Sequence, residues 1–149
     1  MFVPNLKICK FHRIYDDVAL GNASTLPFAS GTFSVVVATE IIGHMEKTMA
    51  TKMLEEAERV ATERIIISTP NKAEKQEHFD LNPWEDRLSS WNVNDFLKRG
   101  YKVYGFGFGS YTFTTRFGKL ANLLEILFRP ISFVFPSLSR ELVAIKEKP

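Results

Sequence analysis

The chain has 149 residues, 45% of them hydrophobic and 24% charged, with a net charge of +2. That length supports one domain with one core, and the balance is that of a soluble globular protein. The charge is too small, and the Lys and Arg residues too scattered, to argue for nucleic acid.

The start, MFVPNLKICKFHR, holds no continuous apolar stretch long enough for a signal peptide. No run in the chain reaches the length of a transmembrane helix. The single Cys9 has no Cys/His cluster beside it for zinc and no internal disulfide partner, which fits a reducing, cytoplasmic setting. Ile14 to Leu20 contains a short candidate strand, interrupted by Asp16 and Asp17 and stopped by Gly21-Asn22. Leu26 to Thr32 reads as a loop, with Pro27 and Gly31 as punctuation. Phe33 to Thr39 is the best strand in the sequence. Its Val35-Val36-Val37 run does not alternate with polar residues, which predicts burial on both faces.

Lys47 to Thr62 reads as a helix, with Met49, Met53, Leu54, Ala57 and Val60 at helical spacing. Arg64 to Ser68 is a second strand, closed by Thr69-Pro70-Asn71. Strand, helix and strand in this space form a βαβ unit with parallel strands. Lys72 to Ser90 is polar and turn-rich, a long loop of the kind that carries function. Asn92 to Arg99 is a short helix, capped by Asn92 or Asn94 and ended by Gly100. Tyr101 to Phe108 is a strand. Phe117 to Phe128 is an amphipathic or buried helix, Ile131 to Phe135 is apolar and ambiguous, and Glu141 to Lys146 is the last strand.

Ligands of open parallel sheets bind beyond the carboxyl ends of the strands. Three such ends are legible: Gly21-Asn22-Ala23, Ala38-Thr39-Glu40 with His44, and Thr69-Pro70-Asn71. Each also has a plainer reading. Asn22 suits any turn, and Glu40 and His44 suit the start of a helix, where the dipole favours a carboxylate.

The stretch NASTLPFASGTFSVVVATEIIGHMEK resembles the middle of a class I S-adenosylmethionine-dependent methyltransferase. That family commonly shows an acidic residue and Ala, then Leu-Pro-Phe, a polar turn, a valine-rich strand and a Glu-to-His stretch. Downstream, LEEAERVATERIIISTPN resembles the family's next helix and strand. SSWNVNDFLKRGYKVYGFGFG resembles a later helix and strand. The similarity runs from about Tyr15 to Gly109, with the last strand in addition.

The resemblance implies S-adenosylmethionine as cofactor and a methyl acceptor that the sequence does not identify. Carried over by position, Asn22 and Ala23 face the adenine and the backbone of Ala38 and Thr39 meets the methionine part. Glu40 and His44 line the acceptor side as candidate catalytic residues. The family usually has Asp where Asn22 stands, but an Asn oxygen can still accept from the adenine amino group. Ser34 stands where the family prefers Asp, and Gly43 where many relatives carry Glu.

The family's first strand, its Gly-x-Gly-x-Gly loop and the acidic end of its second strand should precede this stretch. MFVPNLKICKFHRIYDD contains no glycine, so the chain reads as N-terminally truncated. Gly105, Gly107 and Gly109 in YGFGFG are not that loop. A cofactor loop opens into a helix and is followed by an acidic strand end about 20 residues on, whereas β-prone TFTT follows here. Glycines inside a strand suit close packing instead. The Phe-rich FGKLANLLEILFRPISFVF reads as a core or lid helix. Lys119, Glu125 and Arg129 interrupt it, and it lacks the strongly basic face of a membrane-surface helix.

The expectation is therefore one α/β domain over residues 1–149, with 110–140 as lid or insertion. Its sheet is partial and Rossmann-like, mostly parallel with an antiparallel C-terminal strand set between earlier ones. It lacks the first strands and the glycine-rich loop. The Phe33–Thr39 strand then has a flank that the Ile14–Leu20 segment or a partner chain must cover, so a homo-oligomer through this sheet edge is expected. Cofactor binding and turnover by this chain alone should be weak. The alternative is an inactive methyltransferase-like binding or scaffolding subunit, and a third reading is a membrane-surface module built on the Phe-rich helix.

Overall fold

A computed structural model of the chain describes residues 3–13, 15–71, 86–108 and 126–149. In chain order the elements are α1 (Val3–Phe11), β1 (Phe33–Thr39), a 3-10 turn (Ile42–His44), α2 (Lys47–Val60), β2 (Ala61–Pro70), α3 (Val93–Leu97), β3 (Lys102–Phe108), a second 3-10 turn (Pro136–Leu138) and β4 (Ser139–Glu147). Residues 126–134 are also helical. The four strands form one sheet in the order β1-β2-β4-β3. β1 and β2 are parallel, with Thr39 beside Ser68. β4 is antiparallel to both of its neighbours, so β3 runs with β1 and β2. Three of the four strands run in one direction and the antiparallel last strand is inserted among them, as the resemblance implies.

α2 forms because Ala50, Met53, Leu54, Ala57 and Val60 repeat at three- and four-residue steps and are all buried. Met49, predicted to share that face, lies off the stripe and is 37% exposed. The helix ends at Val60, two residues before the predicted Thr62. β2 follows without a loop, and it is longer at both ends than the predicted Arg64–Ser68. α3 has only five residues and depends on its cap. Asn92 Oδ1 accepts from the Asn94 amide at 2.9 Å and the Asp95 amide at 3.3 Å, while Asp95 Oδ2 accepts from the Asn92 amide at 3.0 Å. Such reciprocal capping is worth about 1 kcal/mol. Gly100 then takes φ +80 and ends the turn.

The core lies on one face of the sheet. Ile65, Ile67, Leu142 and Ala144 meet Leu54 and Ala57 of α2 and the aromatic residues Trp91, Phe96 and Tyr101. Behind them, the Tyr101 hydroxyl donates to Glu58 Oε1 at 3.0 Å and Lys146 Nζ donates to Glu58 Oε2 at 2.9 Å. Burial raises the Tyr101 pKa, and the neighbouring Glu58 adds to the shift.

Two expectations about the sheet edge are corrected. β1 is not buried on both faces. Val36 and Ala38 pack against the core, but Val35 is 43% exposed and Val37 58%. Alternate side chains point to opposite faces, and α2 covers only one of them. Nor does the Ile14–Leu20 segment form a strand: residues 15–20 are irregular, and Ile14 lies outside the described residues. Asp17 instead accepts from the Val18 amide at 2.8 Å, a local bond that competes with a ladder. Among the described residues, no strand pairs with the outer edge of β1.

Gly105 of β3 serves close packing, as its sequence context suggests, whereas Gly107 takes φ +68. A methyl group at Gly105 would collide with the Ser132 carbonyl and come within 2.5 Å of Ser139 Cβ. Ser132, in the 126–134 helix, is fully buried. Phe133 of the same helix stacks on Tyr104 with centroids 5.0 Å apart. The ambiguous Ile131–Phe135 stretch is thus largely helical. Most of the predicted Phe117–Phe128 helix and of the 72–90 loop lies outside the described residues.

Candidate active site at the carboxyl ends of β1 and β2

β1 ends at Thr39, and Glu40 breaks the strand by adopting φ +56. A left-handed conformation costs a non-glycine residue roughly 1–2 kcal/mol, and such strained residues cluster at functional sites. Ser68 of β2 compensates it directly. The Glu40 amide donates to the Ser68 carbonyl at 3.1 Å, and the Ser68 hydroxyl donates to Glu40 Oε1 at 2.7 Å. The Glu40 carboxylate is thereby fixed in orientation while remaining 47% exposed. Arg87 Nη2 lies 4.0 Å from Glu40 Oε2, on the side away from Ser68's contact with Oε1.

The sharp turn at Glu40 leads into the 3-10 turn that carries His44. A strap of residues 86–91 is bound across this turn. The amides of Leu88 and Ser89 both donate to the Gly43 carbonyl, at 2.9 and 3.1 Å, and Ser89 Oγ donates to the Ile42 carbonyl at 3.2 Å. Trp91 Nε1 donates in turn to Ser89 Oγ at 3.0 Å. Lys47 closes the strap from outside: it donates to the Ser90 carbonyl at 2.8 Å, pairs with Asp95 at 3.0 Å and sits 3.8 Å from the Trp91 ring centroid. His44 Nδ1 lies 3.2 Å from the Asp86 carbonyl. A Cβ at Gly43 would meet Arg87 Nη1 at 3.4 Å and Thr69 Oγ1 at 3.9 Å, ordinary contacts.

The three predicted strand ends do not form one continuous rim of strands. Gly21-Asn22-Ala23 follows no strand. Asn22 instead builds its own turn, its Oδ1 accepting from the Ser24 amide at 3.0 Å and the Ser24 hydroxyl at 2.9 Å. The loop after it is tied to α2. The Leu26 amide donates to Glu56 Oε2 at 2.7 Å, and Arg59 donates to the carbonyls of Leu26 and Phe28 at 3.2 and 2.8 Å. The Arg59 side chain is the chief reason the Glu56 carboxyl falls to about 2, with the Leu26 amide assisting. Ala23 and Ala38 are both half-buried against the same core cluster, while Thr39 is exposed. Asn71, at the third end, is structural: its Nδ2 donates to the carbonyls of Pro136, Ser137 and Ser139.

Sequence reading therefore placed Glu40 and His44 on one turn but missed Ser68, Arg87 and the strap. Ser68 carried one signal, a hydroxyl ending a β-branched run beside a parallel strand that ends in a carboxylate. Nothing in the spacing of residues 86–89 pointed at residues 42–44. No group of His, Cys, Asp and Glu suited to a metal ion occurs among the described residues.

No protein-family model and no curated protein matches the sequence. Solved structures do match the fold. An S-adenosylmethionine-dependent methyltransferase from Archaeoglobus fulgidus aligns over 97% of this chain and 80% of its own, at 13% identity and TM-score 0.51. A Bacillus halodurans protein assigned provisionally as a methyltransferase aligns over 100% of this chain and 80% of its own, at 15% identity and TM-score 0.56. The [4+2]-cyclase SpnF aligns over 97% of this chain and 61% of its own, at 13% identity and TM-score 0.53. With its order β1-β2-β4-β3 and inserted antiparallel last strand, the chain has the class I methyltransferase-like fold.

Proposed function

We propose that the protein transfers a methyl group from S-adenosylmethionine to an acceptor at the carboxyl ends of β1 and β2. The observation that carries this reading is Glu40. It is a carboxylate in a costly backbone conformation, held by Ser68 at the strand ends where such sheets bind ligands. The fold shared with two methyltransferase structures supports the same assignment.

The residues present suit the adenosyl and methyl-donor parts of the cofactor. Ala23 and Ala38 are small and half-buried, and the backbone at Ala38 and Thr39 ends at the strand terminus. The resemblance assigns Asn22 to the adenine, and its oxygen already accepts from the Ser24 amide and hydroxyl. Among the described residues, no glycine-rich turn joins a strand to a helix. The close backbone approach that would hold the cofactor's amino-acid tail is therefore not supplied by them, and affinity for S-adenosylmethionine should be low. When bound, the cofactor supplies an electrophilic methyl group on a sulfonium. The protein's part is to hold the acceptor in line, exclude water and receive a proton where one is released. Glu40 orients the acceptor, and His44 stands one helical turn further on. A cytoplasmic setting and self-association through the open β1 edge belong to the same proposal.

A second reading has its own support. The fold also serves a cyclase, and fold alone does not determine chemistry. A non-catalytic binding or scaffolding subunit would use the same rim without turnover. Incubation with methyl-labelled S-adenosylmethionine and a mixed metabolite extract separates the two. Labelled product that disappears in Glu40→Gln supports transfer. Saturable cofactor binding without any labelled product supports the binding subunit.

A further inference from the structure

The 126–134 helix turns its apolar stripe outward. Leu127, Pro130, Ile131 and Val134 stand at i, i+3, i+4 and i+7, the spacing that normally faces a core. All four are exposed, Leu127 by 65% and Val134 by 67%. The residue that faces inward is Ser132, fully buried, whose hydroxyl donates to the Arg129 carbonyl at 2.9 Å. The same side meets β3. The Ser132 carbonyl lies over Gly105, and Phe128 stacks on Phe108 with centroids 5.1 Å apart. These contacts set the outward direction of the stripe, so the core reading of the Phe-rich stretch holds only for the inner side of this helix. The apolar surface also extends past the stripe. Exposed Phe133 lies edge-on to exposed Phe106 of β3 at 6.1 Å, and exposed Phe135 and Leu138 follow the helix end. An apolar patch of this extent marks a protein or a membrane contact.

Charge separates the occupants. Residues 126–140 contain two charged side chains, Arg129 and Arg140, both basic, and no carboxylate. Arg129 is exposed and Arg140 half-buried. Glu141, opposite Phe106 in the ladder, is half-buried too. A two-fold contact between copies would set this patch against itself, basic residue toward basic residue, with no acid in the stretch to pair them. A bilayer with anionic headgroups suits both parts, since apolar side chains enter the acyl boundary and a basic one meets phosphate.

We infer that the outward face of the 126–134 helix docks on an anionic phospholipid surface. Leu127, Ile131 and Val134 sink into the boundary between headgroups and acyl chains, and Arg129 meets a headgroup phosphate. The contact is shallow. Nine residues make a helix about 14 Å long, and no described helix is long and apolar enough to cross a membrane. The inference does not depend on the methyl-transfer reading.

Co-sedimentation of the full chain with vesicles tests it, using phosphatidylcholine alone and phosphatidylcholine mixed with phosphatidylglycerol. The chain should bind both and bind the anionic vesicles about fivefold more strongly, the worth of one basic residue near such a surface. Leu127→Glu with Val134→Glu should lower binding at least about tenfold, while thermal unfolding stays unchanged because both side chains are exposed. Val37→Thr, on the β1 edge, should leave binding within about twofold. In the wild type, a nitroxide on the lipid headgroup should broaden the amides of residues 127–135 and spare those of β1. Failure to sediment with either vesicle overturns the inference, as does binding that the double variant retains or broadening confined to other residues. Equal binding to both vesicles overturns the anionic surface. Self-association without lipid that the double variant abolishes would make the face a contact between proteins, and the inference falls.

Discussion

The hydroxyl of Ser68 donates to Glu40 Oε1 at 2.7 Å, and the Glu40 amide donates back to the Ser68 carbonyl at 3.1 Å. Two adjacent parallel strands thus end in one reciprocal pair, in which the strained residue carries the carboxylate and the unstrained one fixes it. This arrangement separates stability from function. Glu40→Gly relieves the left-handed backbone but removes the carboxylate, and the flexibility of glycine offsets part of the relief. Thermal unfolding should leave this variant within about 1 kcal/mol of the wild type, while methyl transfer is lost. A variant that unfolds far more readily would show that Glu40 is there for structure.

The Glu56–Arg59 pair makes the 24–31 loop sensitive to acid. Glu56 has a folded pKa of about 2 against an ordinary 4.5, chiefly because of Arg59. A depressed carboxyl favours the folded state when ionised, so its contribution is complete above about 4.5 and lost as pH falls through about 2. Stability measured across that window should fall less in Glu56→Gln than in the wild type. Equal slopes would mean that the pair does not act in solution.

Gly105 is needed for lack of space. Its added methyl would collide with the Ser132 carbonyl and approach Ser139 Oγ to 2.7 Å. Gly105→Ala should cost about 1–3 kcal/mol, the usual range for overpacking, in denaturant unfolding. Gly100→Ala, where the space is open but φ is +80, should cost about 1 kcal/mol through backbone strain alone.

The outer edge of β1, unpaired among the described residues, predicts self-association. Val35 and Val37 are exposed on a strand with no charged residue and no proline, the kind of edge that recruits another strand. Light scattering at high micromolar protein should detect a dimer or larger species, and Val37→Lys should return the chain to monomer. A wild-type chain that is monomeric throughout that range removes the edge-pairing proposal.

Much of the fold was legible because it rests on local pattern. The spacing from Ala50 to Val60 gives α2, the β-branched run Ile65-Ile66-Ile67 gives β2, and Asn92 with Asp95 gives the cap of α3. What was not legible depends on residues far apart in the chain. Val35-Val36-Val37 reads as buried on both faces from its composition, but whether both faces are covered is decided elsewhere. Ile14 to Leu20 reads as a strand from its apolar residues, but Tyr15 and Leu20 are exposed and residues 15–20 are irregular. At the site, Glu40 and His44 could be nominated from their place after a strand. The left-handed turn at Glu40 could not be, because the residue bonded to it, Ser68, lies 28 residues on. The orientation of His44 likewise depends on Asp86, 42 residues away.

The ends of β1 and the Asn22 turn are proposed as a site for S-adenosylmethionine. Nuclear magnetic resonance titration of the chain with S-adenosylhomocysteine tests it most directly, because it reports both affinity and place. Hydrogen bonds to a ligand contribute about 0.5–3 kcal/mol each, and about 1.4 kcal/mol is a factor of ten. Without a glycine-rich turn among the described residues, two or three such bonds are lost and the affinity should fall by roughly two to five orders of magnitude, leaving the dissociation constant weaker than micromolar. The amides of Asn22, Ala23, Ala38 and Thr39 should shift together along one saturable curve, and Asn22→Ala should weaken it. Binding at micromolar or tighter affinity, or shifts confined to residues away from these four, would contradict the account.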